Sequence, residues 1–199
     1  MSLRFVIGLA LMLFLSFPGA KAQTEGSVRF GLRAGVNFSN LKFTHGIETG
    51  TGGSWKEGLS LGGLMVVPIA RRFFLQQEYL YSEIGGEVEG TDKSYVFQYF
   101  SLPLFLRWEV SRKFSLMAGP QFGLLINAKE DSNKIPSDQI HMEERSLGIT
   151  FGAEYGLFKS FGITARYMLG LNNVDLGQFS DLQEFKYGVF HFSLVYYFP

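Results

Sequence analysis

The chain has 199 residues, 46% of them hydrophobic, and its 18 basic and 18 acidic residues give a formal net charge of zero. This balance offers no electrostatic reason to expect nucleic-acid binding, and the absence of cysteine excludes disulfides and thiolate metal sites. The length suits one domain, and 24 glycines and 21 phenylalanines without helical periodicity favour an all-β fold.

The first 22 residues have the pattern of a cleavable export signal. A basic residue is followed by an apolar run over residues 5–17, a Pro-Gly pair and two small residues that end at Ala22. The apolar run is shorter than the about 20 residues that span a bilayer as a helix. We therefore expect Sec-dependent export, cleavage between Ala22 and Gln23, and a mature domain over residues 23–199.

Eight stretches then alternate apolar and polar residues, which is the period of a β-strand. The predicted strands cover residues 28–40, 56–67, 73–83, 95–110, 114–127, 145–157, 161–171 and 185–198. The long connections are 41–56, 84–94, 128–143 and 172–184, and the short ones are 68–72, 111–113 and 158–160. This alternation of long and short is typical of an eight-stranded antiparallel up-and-down transmembrane β-barrel. Pro103 and Pro120 lie inside predicted strands and remove ladder donors, so local bulges or rim positions are expected there.

Alternation alone leaves open which face points inward, because a soluble lipocalin-like barrel would place its apolar face inside. Two observations favour the opposite arrangement. The aromatic residues are too many for a tube that side chains just fill. The polar face is also rich in glycine, which makes room for long side chains such as arginine. These glycines are Gly31, Gly35, Gly58, Gly62, Gly119, Gly123, Gly148, Gly152, Gly162, Gly170 and Gly188.

With polar side chains inside and apolar ones facing lipid, the sheet must close, because hydrocarbon cannot satisfy free backbone groups. Aromatic residues near the segment ends are then expected to form interfacial girdles. The candidates are Tyr79, Tyr81, Tyr95, Trp108, Tyr155, Tyr167, Tyr196 and Phe198.

Charged residues of both signs fall on the predicted inward face. They are Arg29, Arg33, Glu78, Arg107, Glu109, Glu154 and Arg166. Buried charges are tolerated when they are paired, so we interpret this set as a structural ion-pair network that plugs a narrow barrel. A gated pore or a proton path is the alternative interpretation, and the sequence leaves the individual pairings open.

Enzymatic chemistry has weak support in the sequence. His45 could be drawn with Ser39 or Asp175 as a triad at the outer rim, but no GxSxG elbow is present. His191, inside the last strand, is most simply a polar interior residue bonded to its neighbours. We expect no enzyme activity and no cofactor.

The long connections carry most of the acidic residues. Two acidic clusters, around Glu87 and around Asp131, lack the ordered calcium-loop pattern, so no metal site is expected. The short turns instead carry basic residues, which are Arg71, Arg72, Arg112, Lys113 and Lys159. Acidic loops that reach lipopolysaccharide phosphates through divalent cations are one hypothesis.

Several segments carry a family resemblance. They include FGLRAGVNFSNL (30–41), LQQEYLYSEIGGE (75–87), YFSLPLFLRWE (99–109), AGPQFGLLI (118–126), ITFGAEYG (149–156) and GITARYMLGLNNV (162–174). The chain resembles the outer-membrane β-barrel family that includes the PorT-like proteins. The resemblance implies a small barrel in the outer membrane of a Gram-negative bacterium, and some relatives are linked to protein secretion.

The function expected from these observations is a structural or interaction role. The partners would be the lipid bilayer, lipopolysaccharide and another envelope protein, the last bound through loops 41–56, 84–94, 128–143 and 172–184. A narrow channel is the main alternative, followed by a rim enzyme and a soluble ligand-binding barrel.

Overall fold

The computed structural model describes residues 27–45, 55–87, 94–130, 133–134, 145–171 and 184–199. The strands are β1 (Arg29–His45), β2 (Lys56–Ala70), β3 (Phe73–Glu87), β4 (Ser94–Glu109), β5 (Phe114–Glu130), β6 (Asn133–Lys134), β7 (Arg145–Gly156), β8 (Phe161–Gly170) and β9 (Glu184–Tyr197). The predicted signal, with its cleavage site at Ala22 and Gln23, lies outside the described residues. Within the described ranges, no helix is long and apolar enough to cross a membrane.

Eight of these strands close into an antiparallel barrel. Each long strand pairs with the next in the chain, β5 pairs directly with β7, and β9 returns to pair with β1 from Gly31↔Tyr197 to His45↔Glu184. Among the described residues, the two-residue β6 pairs with the end of β5 alone. Closure leaves none of the eight strands as a sheet edge, which confirms the predicted fold.

Strands on the long-connection side run further than the alternation predicts. β1 continues to His45, β3 to Glu87 and β5 to Glu130. Backbone pairing defines these ends, since residues 41–43 still face residues 185–187 of β9. The first residues of three predicted loops are therefore strand.

The faces follow the predicted orientation. Outward side chains are apolar and exposed to the surroundings of the barrel, as at Leu59, which is 62% exposed. Inward polar side chains are buried, among them Arg33, Asn37 and Glu78. This arrangement rules out the soluble barrel with an apolar interior.

The interior also contains apolar side chains among the polar ones. Near the short turns, Leu64, Val66, Phe74 and Val195 form a buried cluster against Tyr197. Phe97, Phe105 and Met168 are buried further along the barrel. A narrow tube must be filled to interior packing density, and polar side chains supply only part of that volume.

The two strand prolines do not produce the expected bulges. The β3–β4 register is the same on both sides of Pro103, from Gln77↔Leu104 to Leu80↔Ser101. The β4–β5 register is likewise unchanged between Pro103↔Gln121 and Leu106↔Ala118. Partner pairs are missing beside the prolines, so the ladder loses contacts without inserting a residue. The register shifts of the described strands lie at residues 43–45, 68–70 and 98–99.

Inward glycines allow neighbouring strands to approach each other closely. A Cβ atom at Gly62 would collide with the carbonyl oxygen of Tyr79 on the next strand. At Gly119 it would collide with the carbonyl oxygen of Leu104. Side chains converge on the concave side of a strongly curved sheet, so a missing Cβ relieves crowding there.

The expectation that glycine makes room for arginine holds at one position. A Cβ atom at Gly152 would lie 2.6 Å from Cγ of Arg166. Gly188, in contrast, was predicted on the inward face and lies on the outward one. A Cβ atom there would lie 2.6 Å from the Tyr167 hydroxyl, so this glycine accommodates an aromatic side chain outside the barrel.

Aromatic side chains ring the outward face at the short-turn end. This short-turn girdle comprises Phe73, Trp108, Phe114, Tyr155, Phe161, Tyr196 and Phe198. Phe73 stacks with Trp108 at 6.3 Å between ring centroids, and Phe161 contacts Tyr196 at 5.0 Å. The predicted membership of Trp108, Tyr155, Tyr196 and Phe198 is confirmed.

Two other predicted girdle residues lie elsewhere. Tyr79 and Tyr167 are six residues along their strands from Phe73 and Phe161. Along strands tilted by about 40° this is roughly 15 Å, near the middle of an apolar band about 25 Å tall. Their assignment to an interfacial girdle is therefore wrong.

Gly62 and Gly63 provide a matched test of the close approach. We expect Gly62→Ala to lower the free energy of unfolding by about 1–3 kcal/mol, because the methyl group must displace a neighbouring strand. Gly63→Ala should stay within about 0.5 kcal/mol, since its Cβ would lie 3.8 Å from the nearest atom, the carbonyl oxygen of Gly31. Urea unfolding in detergent micelles measures both. Equal losses for the two variants would contradict the packing argument.

Candidate functional site

The interior polar network is built around Glu78, which projects inward from β3. Its carboxylate accepts a hydrogen bond from Arg33 Nη1 at 2.9 Å and two from the Arg166 guanidinium at 2.7 and 2.8 Å. Gln76, two residues earlier on the same face, donates to it at 2.5 Å. Arginine residues from β1 and β8 therefore converge on one carboxylate.

A second cluster surrounds Arg107, which projects inward from β4. Its guanidinium donates to both oxygens of Glu154 on β7, at 2.7 and 3.0 Å. It also lies 3.0 Å from the Ser115 hydroxyl and 2.7 Å from the Tyr197 hydroxyl. Gln76 Oε1 accepts from Arg107 at 3.0 Å, so Gln76 joins the two clusters into one network.

These contacts run across the barrel and not only along its wall. In the closed strand order, β3 and β8 are four strands apart in either direction, and so are β4 and β9. The bonds from Arg166 to Glu78 and from Arg107 to Tyr197 therefore join opposite walls. Side chains cross the lumen at two places.

The charged side chains of this network are withdrawn from solvent. The residue exposure is 0% for Glu78, 2% for Arg33 and 4% for Arg166. A water-filled pore at this level would leave its charged lining accessible. The Arg166 guanidinium also lies 4.6 Å from the centroid of the buried Phe105 ring, a cation–π contact strengthened by desolvation.

Charge in the network is nearly but not fully balanced. Three arginines, Arg33, Arg107 and Arg166, face two carboxylates, Glu78 and Glu154, so one positive charge is in excess. The Nε atom of each arginine has no hydrogen-bond partner among the described residues. The carboxylates, in contrast, each accept several hydrogen bonds, so the acids are the better satisfied members.

The predicted residue Glu109 lies apart from this network. It pairs with Arg29 at 2.6 Å near the short turns, where the two side chains are 29% and 34% exposed. The Arg29 guanidinium also lies over the rings of Phe74 and Tyr197, at 5.1 and 5.4 Å. Of the seven charged residues on the predicted inward face, five are brought together, and Arg29 and Glu109 form a separate pair at the rim.

Nearer the long connections, the interior holds neutral hydrogen bonds. His191 Nδ1 lies 2.5 Å from Asn37 Oδ1, and Asn37 Nδ2 donates to the Glu83 carbonyl at 3.0 Å. The Thr150 hydroxyl donates to Gln121 Oε1 at 2.9 Å. The interpretation of His191 as a bonded interior residue is confirmed.

The predicted network contained only charged residues and left out the neutral side chains that bond to it, which are Gln76, Ser115 and Tyr197. Position along the strand could have identified two of them, since Gln76 is two residues before Glu78 and Tyr197 is two residues after the inward Val195. Residues two apart in a strand share a face.

The Ser39–His45 pair of the triad drawn at the outer rim is not assembled. Ser39 and His45 both lie on β1, six residues apart, which is about 20 Å along a strand. The Ser39 hydroxyl instead donates to the Gly85 carbonyl at 2.7 Å and accepts from the Gly85 amide at 2.8 Å. Asp175 lies outside the described residues.

No group of three or more potential metal ligands occurs within the described ranges, and the expected absence of metal stays a prediction.

An open apolar furrow of about 730 Å³ lies on the barrel wall. Small outward side chains at Ala118, Ala153 and Ala165 line it together with larger ones such as Phe151 and Phe192. Its lining is almost wholly apolar, as expected of a surface that faces lipid.

Comparisons with known proteins agree with this architecture. The family described as "Outer membrane protein beta-barrel domain" matches residues 21–176. Ail, the attachment invasion locus protein of Yersinia pestis, is 15% identical over 87% of this chain and 100% of its own, with a TM-score of 0.52. Neisserial surface protein A is 12% identical over the same shares, also with a TM-score of 0.52. At such identities the likeness is one of fold alone. No curated protein matches the sequence.

The ion-pair network is tested by removing a buried acid. Glu154→Ala leaves Arg107 without its carboxylate in a buried position, so we expect a loss of about 3–5 kcal/mol in the free energy of unfolding. Urea unfolding in detergent measures this loss, and the folded fraction at each urea concentration is read from the gel mobility of unboiled samples.

Glu109→Ala is the matched control, because it removes the acid of a partly exposed pair. Its expected loss is at most about 1 kcal/mol. A Glu154→Ala variant as stable as Glu109→Ala would contradict a structural role for the network.

Proposed function

Because this chain belongs to the outer membrane protein beta-barrel domain family, we propose that it is a closed outer-membrane barrel that acts as an interaction scaffold. In this proposal the chain is exported by its N-terminal signal, and its long connections face the cell exterior, since short turns lie on the periplasmic side of such barrels. It is neither an open channel nor an enzyme. Another envelope component binds the long-connection end.

The contact between Glu78 and Arg166 carries this proposal. It joins opposite walls at 2.7 Å, and both side chains are almost completely inaccessible to solvent. An eight-stranded barrel is only just wide enough for its own side chains, and here ion pairs occupy that width. Transport along the axis would require these pairs to separate within a medium of low dielectric constant, which is costly.

The assignment of binding to the long-connection end follows from what covers the rest of the surface. The apolar outer wall is occupied by lipid in a membrane, and the turn between β2 and β3 is as short as two residues. The long connections offer more chain and more acidic groups. Lipopolysaccharide phosphates, reached through divalent cations, are a second partner in this proposal. The resemblance to PorT-like proteins makes an envelope or secretion process the first place to search for a protein partner.

Conductance in planar bilayers separates the closed barrel from a channel. We expect folded wild-type protein to give no stable single-channel steps. A variant that combines Glu78→Ser, Arg166→Ser, Arg107→Ser and Glu154→Ser shortens the charged side chains at both crossings of the lumen and is expected to conduct. Stable steps of the same size from both proteins would contradict the closed-barrel proposal.

Site-specific photo-crosslinking in cells tests the interaction role. Trp55, directly before β2, is 51% exposed at the long-connection end. A photoreactive residue there is expected to capture an envelope protein or lipopolysaccharide. The matched control is Leu116, which is exposed on the lipid-facing wall. Equal capture at both positions, or capture at Leu116 alone, would contradict binding at the long-connection end.

A further inference from the structure

The short-turn end carries a set of exposed basic residues. This basic rim comprises Arg71, Arg72, Arg112, Lys113 and Lys159, from the β2–β3, β4–β5 and β7–β8 turns. None of these five side chains forms a hydrogen bond or an ion pair with a described residue. The nearby acid Glu109 is already paired with Arg29. Within the described part of the chain, the positive charge of the rim is therefore not neutralised.

The basic rim lies directly against the short-turn girdle. Arg72 precedes Phe73, Lys113 precedes Phe114, and Lys159 lies two residues before Phe161. A separation of one or two strand residues is about 3–7 Å. Aromatic girdles mark the boundary between hydrocarbon and headgroups. The cations therefore lie within reach of lipid phosphates if the short-turn girdle marks that boundary.

Apolar side chains in the same turns support this depth. Phe158 is 78% exposed beside Lys159, and Ile69 is 48% exposed two residues before Arg71. Water would be an unfavourable environment for both side chains. A membrane interface accommodates them, because apolar groups enter the acyl region while lysine and arginine extend their charged ends to the headgroups.

We propose that the basic rim binds the phosphate groups of anionic phospholipids in the periplasmic leaflet and selects them over zwitterionic lipids. The cations are distributed over three separate turns, which suits several headgroups around the barrel better than one captured ion. Each lysine or arginine near an anionic lipid surface strengthens binding to that surface about fivefold. This inference concerns the end opposite to the proposed partner site and does not depend on that site.

The two tryptophans of the chain provide a built-in measurement. Trp108 belongs to the short-turn girdle, and Trp55 lies at the long-connection end beside Phe190, with 5.5 Å between ring centroids. In a Trp55→Phe variant the fluorescence reports only on Trp108, and in a Trp108→Phe variant only on Trp55. The folded protein is reconstituted into phosphatidylcholine vesicles that contain one-fifth phosphatidylglycerol. Two vesicle preparations are compared, one with bromine atoms in the acyl chains of phosphatidylglycerol and the other with bromine atoms in those of phosphatidylcholine. Bromine quenches the fluorescence of nearby tryptophan.

At equal amounts of brominated lipid, brominated phosphatidylglycerol is expected to quench Trp108 about twofold more effectively than brominated phosphatidylcholine, since several cations recruit it. Trp55 should show no such excess. In 1 M salt the Debye length is only about 3 Å, so the excess at Trp108 should largely disappear. Equal quenching of Trp108 by the two brominated lipids at low salt would overturn the proposal.

Charge neutralisation assigns the effect to the basic rim. Replacing its five residues by glutamine, in the Trp55→Phe background, is expected to abolish the excess quenching of Trp108. The matched control replaces five lysines at the opposite end, which are Lys42, Lys56, Lys129, Lys134 and Lys186. This control should retain the excess. Survival of the excess quenching in the rim variant, or its loss in the control, would also overturn the proposal. If the rim variant fails to fold, the salt dependence of the quenching of Trp108 tests the proposal instead.

Discussion

Closure of eight strands into a narrow tube is the constraint on which the other features depend. The membrane requires it, because no backbone donor or acceptor can remain unpaired in hydrocarbon. The tube is so narrow that side chains from opposite walls meet, as Glu78 and Arg166 do at 2.7 Å. Inward glycines such as Gly62 follow from the same geometry, since a Cβ atom there would collide with the neighbouring backbone. The filled interior and the inward glycines are thus both consequences of the small radius of the barrel.

The buried ion pairs are better explained by specificity than by net stability. Desolvating charges can cost as much as their attraction returns, and apolar replacements are often neutral or stabilising. In a barrel with an apolar outer face, however, an apolar interior would make the two faces equivalent. A register slip of one residue would then be tolerated. In this barrel the same slip would turn Glu78 and the arginines toward lipid, and each arginine at the bilayer midplane would cost about 2–4 kcal/mol of stability. The network therefore defines which face is inside.

Sequence periodicity was sufficient to locate the strands, because a period of two is local information. The direction of the faces needed two further observations, the number of aromatic residues and the glycines on the polar face. The pairings were not predictable, because Arg166 and Glu78 are 88 residues apart and meet only through strand number and stagger. Tyr79 and Tyr167 were misplaced because girdle depth depends on tilt and not on sequence position alone. The expected bulges at Pro103 and Pro120 are absent because a missing donor weakens a ladder without requiring an inserted residue.

The fold itself does not determine what such a barrel does, because one architecture hosts many functions. In this chain the wall faces lipid and the interior is occupied by its own charges, so differences in chemistry are concentrated at the two ends. The short-turn end combines basic residues with exposed Phe158, and its composition matches a headgroup layer. The long-connection end carries most of the acids and the longest stretches of chain. Because the two ends differ in charge and in length, they present different surfaces to the two sides of the membrane, and the barrel between them fixes their separation.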